Sequence, residues 1–264
     1  MENQFGKLSR LQIGAAFDGE KTVLQDVHFT APFKVMRPFY EKPGIMTVML
    51  LSASAGIMAG DRQEFDFEVK PGASLEFVSQ AYEKIHRMEE GEAKRNVEIH
   101  VREGASFYYT PLPTVPFAGS AFSNDAKIYL ADGSSRFIMS EVLACGRAAR
   151  GERFQFRHFK NHVSIWQGSR RIYRDNTCCL PKEWDMERFG LFEGYSHLAN
   201  LVICNQPVNQ AQVSAMRQLM EDVPEMEGGV TQNGESLTVI RILGNTAQKL
   251  TDIIKKILDT AMLV

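Results

Sequence analysis

Val69-Lys70-Pro71-Gly72-Ala73-Ser74-Leu75 returns as Val101-Arg102-Glu103-Gly104-Ala105-Ser106-Phe107 and again as Leu130-Ala131-Asp132-Gly133-Ser134-Ser135-Arg136. Each copy joins an apolar strand end to two turn residues, a glycine, two small residues and the start of another strand. Glycine supplies the left-handed backbone that a tight turn needs. The glycines fall at 72, 104 and 133, so the spacings are 32 and 29 residues. Hairpins would give the same local sequence, but a near-constant period of this length predicts successive layers of a stacked β structure.

Working outward, most of the chain before Thr177 reads as strand. Leu8 to Phe17, Val23 to Phe29, Ile45 to Ser52, Gln63 to Val69, Ser74 to Ser79, Val97 to Val101, Ser106 to Tyr109 and Lys127 to Leu130 are short and rich in β-branched or aromatic residues. After Thr177 the pattern changes. Pro181 to Phe189 is charged and turn-like, with room for one short helix, and Leu201 to Cys204 is an apolar strand. Val208 to Val223 has helical spacing with Asn209 as cap, Asn233-Gly234 marks a hairpin between Gly228 to Thr231 and Leu237 to Leu243, and Thr246 to Met262 is an amphipathic helix. The expectation is a mainly β chain. Residues 1–177 form a stacked, β-helix or solenoid-like body, with a sandwich as the alternative. Residues 178–264 form a small C-terminal β-α-β-β-α subdomain packed on the body without a flexible linker.

One carboxylate stands out. Glu141 interrupts Phe137-Ile138-Met139-Ser140-Glu141-Val142-Leu143-Ala144, where an unpaired buried charge would cost roughly several kcal/mol. Arg147 and Arg150 are candidate ion-pair partners, since Gly146 and Gly151 let the backbone turn back.

The chain has 264 residues, 44% of them hydrophobic, enough to bury a core. Its formal charge of -2 offers no overall attraction for nucleic acid or an anionic membrane. No run approaches the ~20 apolar residues that span a bilayer, and Met1 to Lys7 lacks a signal-peptide core, so a cytoplasmic location is expected. Four cysteines at 145, 178, 179 and 204 lack Cys-x-x-Cys spacing and read as free thiols.

Phosphate-loop, nucleophile-elbow, zinc-protease and dinucleotide motifs are absent, so nothing in the residues argues for an enzyme. A β-solenoid enzyme acting on carbohydrate would need clustered carboxylates, and those here are isolated. His158 and His162 would lie ~13 Å apart on one strand, too far for one ion, unless a turn near Lys160-Asn161 brings them together. His86 stands among Glu83, Glu89 and Glu90, as in a solvated charged turn. Asp61 follows Gly56-Ile57-Met58-Ala59-Gly60, where an aspartate usually bonds local amides. Arg147, Arg150, Arg153, Arg157, Lys160, Arg170, Arg171 and Arg174 face one acid, Glu152, within their stretch, a solvated face large enough to dock an acidic partner.

Several spaced motifs together carry a resemblance. Pro32-Phe33-Lys34 with Pro38-Phe39-Tyr40, Gly56 to Asp61, Ser79-Gln80-Ala81-Tyr82-Glu83-Lys84-Ile85-His86, Pro113-Thr114-Val115-Pro116-Phe117, Ser140-Glu141 through Gly146-Arg147 to Phe154, Asp175-Asn176 and Phe192 to Tyr195 run in order along the chain. The sequence resembles the urease accessory proteins UreD, called UreH in Helicobacter-type bacteria, and leans toward the latter form in carrying His86. The resemblance implies a β-helical, non-catalytic maturation factor. Such a factor binds apo-urease and UreF and, through UreF, UreG, in a dimeric hetero-complex formed through UreF. It also implies nickel as transient cargo, with no stably bound cofactor, passing an internal tunnel. Asp61, Lys84 and Glu141 match the family's motif positions, and His86 and Glu152 join them as tunnel candidates. Transient nickel contact is expected at Asp61 or Glu141. The competing reading is a pure adaptor with no nickel conduction.

Overall fold

Strands β1 (Leu8–Phe17), β2 (Thr22–Phe29), β3 (Phe33–Val35), β4 (Phe39–Lys42) and β5 (Ile45–Ser52) open the computed structural model, which describes residues 8–262. Met1 to Lys7, read above for a leader, lies outside them. Then come β6 (Arg62–Val69), β7 (Ser74–Ser79), β8 (Glu83–Ile85), β9 (Ala93–Val101), β10 (Ser106–Tyr109), β11 (Thr114–Pro116), β12 (Ala121–Leu130) and β13 (Arg136–Ala144). A 3-10 turn at Ala148–Arg150 leads to β14 (His158–Gln167) and β15 (Arg170–Cys179). The chain ends with β16 (His197–Cys204), α1 (Gln210–Glu221), β17 (Met226–Asn233), β18 (Leu237–Gly244) and α2 (Ala247–Met262). Pro181 to Phe189 is built of turns, without the short helix for which its sequence left room. None of the described helices is long and apolar enough to cross a membrane.

The chain climbs by alternating between two sheets. The first has the order β15-β14-β12-β9-β6-β1-β2 and the second β17-β18-β16-β13-β10-β7-β5-β3. From β5 to β14 each circuit lays one main strand on each sheet, parallel to that of the previous circuit, and the short β8 and β11 pair beside the second sheet's path. Phe65, Val97, Ala126 and Val163 are thereby in register on the first sheet, and Val48, Phe77, Tyr109 and Met139 on the second. Their side chains meet between the sheets in a core that contains Phe67, Phe107 and Phe137. Phe77 stacks on Tyr109 at 5.4 Å and meets Phe67 edge-on at 5.0 Å.

The repeated turns sit where the chain crosses between sheets. Gly72 and Gly104 take φ of 72° and 65°, as the repeat requires. The third copy differs: Val101 pairs with Leu130 but Ser106 pairs with Arg136, so this crossing is one residue longer. Ser134, not Gly133, stands level with Gly104, and its hydroxyl accepts the Gly104 N–H at 2.8 Å. A side chain replaces the glycine geometry at that layer.

β16 continues the second sheet antiparallel to β13, and β18 and β17 follow, so the C-terminal β-α-β-β-α segment extends the body's own sheet. Asn209 caps α1 with a reciprocal bond to Gln212. Both helices cover the outer face of β13, β16 and β18, burying Met216, Met220, Leu250, Ile253 and Ile257 against Ile138, Leu201 and Ile240. The fit is close enough that a Cβ on Gly228 would lie 2.6 Å from the Met220 sulfur. Covered on both faces, β13 is buried at nearly every position, which is why Glu141 stands out in it.

Phe77→Ala should lower stability by about 3–5 kcal/mol, because the rings around it cannot close the space. Phe189→Ala, at a side chain 94% exposed, should change it by less than about 0.5 kcal/mol. Urea unfolding of the two variants checks the contrast.

Candidate functional site

A polar layer crosses the interior. Two residues before each core position on the first sheet stand Gln63, Arg95, Asn124 and Asn161, in register with one another and with Thr177. On the facing sheet Glu141, Asn200 and Arg241 form a matching row. Farther along the strands the interior is apolar again, with Ala93, Phe122, Leu143, Phe159 and Cys179 in a separate cluster. The polar row therefore lies between two apolar cores.

Arg95 anchors one end of the layer and is 8% exposed. Its guanidinium donates to Gln63 Oε1 from Nε at 2.9 Å and to both carboxylate oxygens of Glu83 on β8. The cation lies 4.7 Å from the Phe65 ring centre and 5.6 Å from that of Phe122. Bidentate pairing and aromatic faces are what a buried guanidinium needs in place of water. This cation is thereby committed to Glu83.

Glu141 forms no ion pair among the described residues. Its Oε2 accepts from Asn161 Nδ2 at 2.8 Å, and Asn161 Oδ1 accepts from Asn124 Nδ2 at 2.7 Å. Burial pushes the Glu141 carboxyl up to about 7, with the Asp175 charge adding to it, while the Asn161 hydrogen bond and Arg95 oppose the rise. Asp175 is better served, since Arg241 at 2.7 Å, Asn200 Nδ2 at 3.1 Å and Thr177 Oγ1 at 3.0 Å all donate to it. With their NH₂ groups so used, Asn124 and Asn200 each keep a buried Oδ1 without a donor among the described residues.

Apart from Asp175 and Arg241, these groups line a cavity of about 450 Å³. Its mouth lies at the exposed residues Ser54, Gln80 and Tyr82, and Glu141, Asn161 and Asn200 line its inner part. Phe33, Leu50 and Leu112 supply apolar wall between. The acceptor oxygens suit a hydrogen-bond donor or a hard cation and offer nothing to an anion.

Of the residues singled out in the sequence, Glu141 and Lys84 line this cavity, and Asp61, His86 and Glu152 do not. Asp61 Oδ2 accepts the Met58 N–H at 2.8 Å and closes a turn. His86 Nε2 lies 3.0 Å from the Ala55 carbonyl, and its ring meets Phe117 edge-on. That approach requires Gly56, whose added Cβ would lie 2.3 Å from the Lys84 carbonyl oxygen. Arg147 does form an ion pair, but with Glu152 and not with Glu141. Its Nε donates to Glu152 Oε2 at 2.7 Å, and its guanidinium lies over Phe117 at 4.1 Å. Arg147 and the Ala118 N–H hold the Glu152 carboxyl below the usual range. Arg150 is exposed and has no ion pair among the described residues. The turn through Gly146 leads these arginines away from the interior that Glu141 faces.

His158 and His162 lie on one continuous strand, bonded to Glu92 at 3.1 Å and Asp125 at 2.7 Å. No turn joins them. Phe159, Asn161, Val163 and Ile165 alternate inward along it without a break, Asn161 being a polar residue at an inward position. Among the described residues no three His, Cys, Asp or Glu side chains gather in a metal-binding group. Burial pushes the Cys179 and Cys204 thiols up to about 12, away from the thiolate form that binds metals.

The sequence reading missed Arg95, Asn124, Asn161 and Asn200. Their common signal is position, since on the first sheet each polar side chain stands two residues ahead of an apolar position that the stacking repeats.

The chain matches the family described as UreD urease accessory protein over residues 7–263. It is 38% identical to the urease accessory protein UreD of Acetivibrio thermocellus over 258 residues, 97% of this chain and 98% of that protein. It is 35% identical to the urease accessory protein UreH of Helicobacter pylori strain G27 over 256 residues, 97% and 95% of the two chains. With UreD of Haemophilus influenzae the identity is 30% over 90% of this chain and 92% of the other. Both forms of the family are thus near relatives, and the lean toward the Helicobacter form is not exclusive.

Unfolded, the Glu141 carboxyl has its ordinary pKa of 4.5, and folded it has one of about 7. The native state holds the proton more tightly, so the contribution of this group is fullest below the unfolded value and is lost as pH rises through 7. Glu141→Gln should match the parent in stability near pH 4 and exceed it by roughly 1–3 kcal/mol near pH 8. Urea unfolding at both pH values reads this. A variant no more stable at pH 8 would mean that Asn161 and Arg95 keep the carboxylate charged without cost.

Proposed function

Because the chain belongs to the UreD family of urease accessory proteins, we propose that it is a non-catalytic scaffold of urease maturation. In this reading it binds UreF, through UreF it engages UreG, and it presents apo-urease with nickel as transient cargo in the cytoplasm. The observation that carries the nickel part is Glu141 at the inner part of a cavity whose mouth reaches solvent. The polar row runs on past Asn200 to Arg241, whose side chain is half exposed at the other side of the layer.

The donor set supports transit over storage. Nickel held for handover needs few, exchangeable oxygen or nitrogen ligands and no closed thiolate cage. Glu141 and the free amide oxygens of Asn124 and Asn200 are such ligands, and the buried thiols are not. Asp61 enters indirectly, by holding the turn that seats Ile57 beside Ile85. The adaptor reading draws support from the apolar wall at Phe33, Leu50 and Leu112, which offers a metal no ligand. In that case nickel takes another route and the chain only bridges UreF to apo-urease.

Urease activation in cells carrying Glu141→Ala should fall several-fold while UreF still co-purifies, and Asp61→Ala should act more weakly in the same direction. Unchanged activation with an intact complex would leave the adaptor reading standing. Failure to co-purify UreF from the parent would count against the scaffold itself.

A further inference from the structure

We infer that the free edge of β15, with the outer face beside it, is a docking surface for an extended acidic segment of a partner protein. β15 is the last strand of the first sheet, ten residues long, and pairs only with β14 among the described residues. Its outer edge therefore offers a run of backbone N–H and C=O groups to an added strand.

The side chains along it are basic by arrangement. A bulge at Ile172 lets Arg174 pair with Ser164 and Arg171 with Trp166, so two arginines three apart in sequence come to the same face. Lys160, on β14, shares that face, and Arg170 stands at the strand's start. All four cations are exposed, and none makes an ion pair among the described residues. Arg171 lies over the Trp166 ring at 5.5 Å, which orients its guanidinium without neutralising it.

Charge is also a common way to protect a free edge from aggregation. The strands at the other ends of the two sheet orders argue against that use here. β2 and β17 contain no Lys or Arg, and β3 contains only Lys34, although β2 exposes Val27 and Phe29. Among these end strands the unpaired cations are concentrated at β15. A strand laid along β15 with acids at alternate positions would place successive carboxylates about 6.6–7 Å apart, on the face that holds Arg171 and Arg174.

The test uses the full chain and a labelled peptide, Thr-Glu-Val-Glu-Thr-Glu-Val-Glu-Thr, with its lysine counterpart and a single-stranded DNA oligonucleotide as competitors. Fluorescence anisotropy at about 50 mM salt should show saturable binding of the glutamate peptide, weakened about tenfold or more in R171E/R174E and largely kept in R171K/R174K. Hydrogen exchange should slow at residues 170–179 and not along β2. Binding unchanged by charge reversal, or no slowing at residues 170–179, would overturn the proposal. DNA binding tighter than the peptide would reassign the patch to nucleic acid. None of these results depends on nickel or UreF, so failure here leaves the maturation reading intact.

Discussion

Parallel, in-register stacking obliges every coil to repeat the polarity of the coil before it. A slip of one residue would turn each inward side chain outward. The core therefore exists only if Phe65, Val97, Ala126 and Val163 stay level, and the same register puts Gln63, Arg95, Asn124 and Asn161 level too. The interior polar layer is not an accident of one coil. It is fixed by the same pairing that builds the hydrophobic core, and each polar member must find its hydrogen bonds within the layer or from what occupies the cavity.

That constraint explains how differently two buried carboxylates behave. Asp175 lies where Arg241, Asn200 and Thr177 converge, and its charge is met by donors on every side. Glu141 stands between two asparagines while the nearest guanidinium is committed to Glu83. Neutralising Glu141 would be cheap for the protein, and a positive species entering the cavity would find in it an acceptor not already spent.

Much of the architecture was legible because it rests on local patterns. The glycine turns, the strand alternation, the Asn209 cap and the Asn233-Gly234 hairpin each report on a few neighbouring residues. The partner of Glu141 was not legible. Asn161 lies twenty residues away on the other sheet, whereas Arg147, near in sequence, pairs with Glu152, and Arg150 stands exposed. Gly133 misled in a smaller way, since the crossing after Leu130 gained a residue and passed the level of Gly104 to a serine. Inward asparagines are hard to recognise in one sequence because they imitate a break in the strand.

The Arg95 pair has a further meaning for how such a chain can change. Stacked proteins commonly lengthen by duplicating a coil, because each coil contacts only its neighbours. Here Arg95 on β9 reaches Gln63 on β6 and Glu83 on β8, and a second set of bonds runs from Asn124 on β12 through Asn161 on β14 to Glu141 on β13. Inserting or deleting a coil within either set would cut it and leave a buried cation or carboxylate without its mate. The number of coils is thereby locked, and variation is confined to the crossings and the ends of the stack.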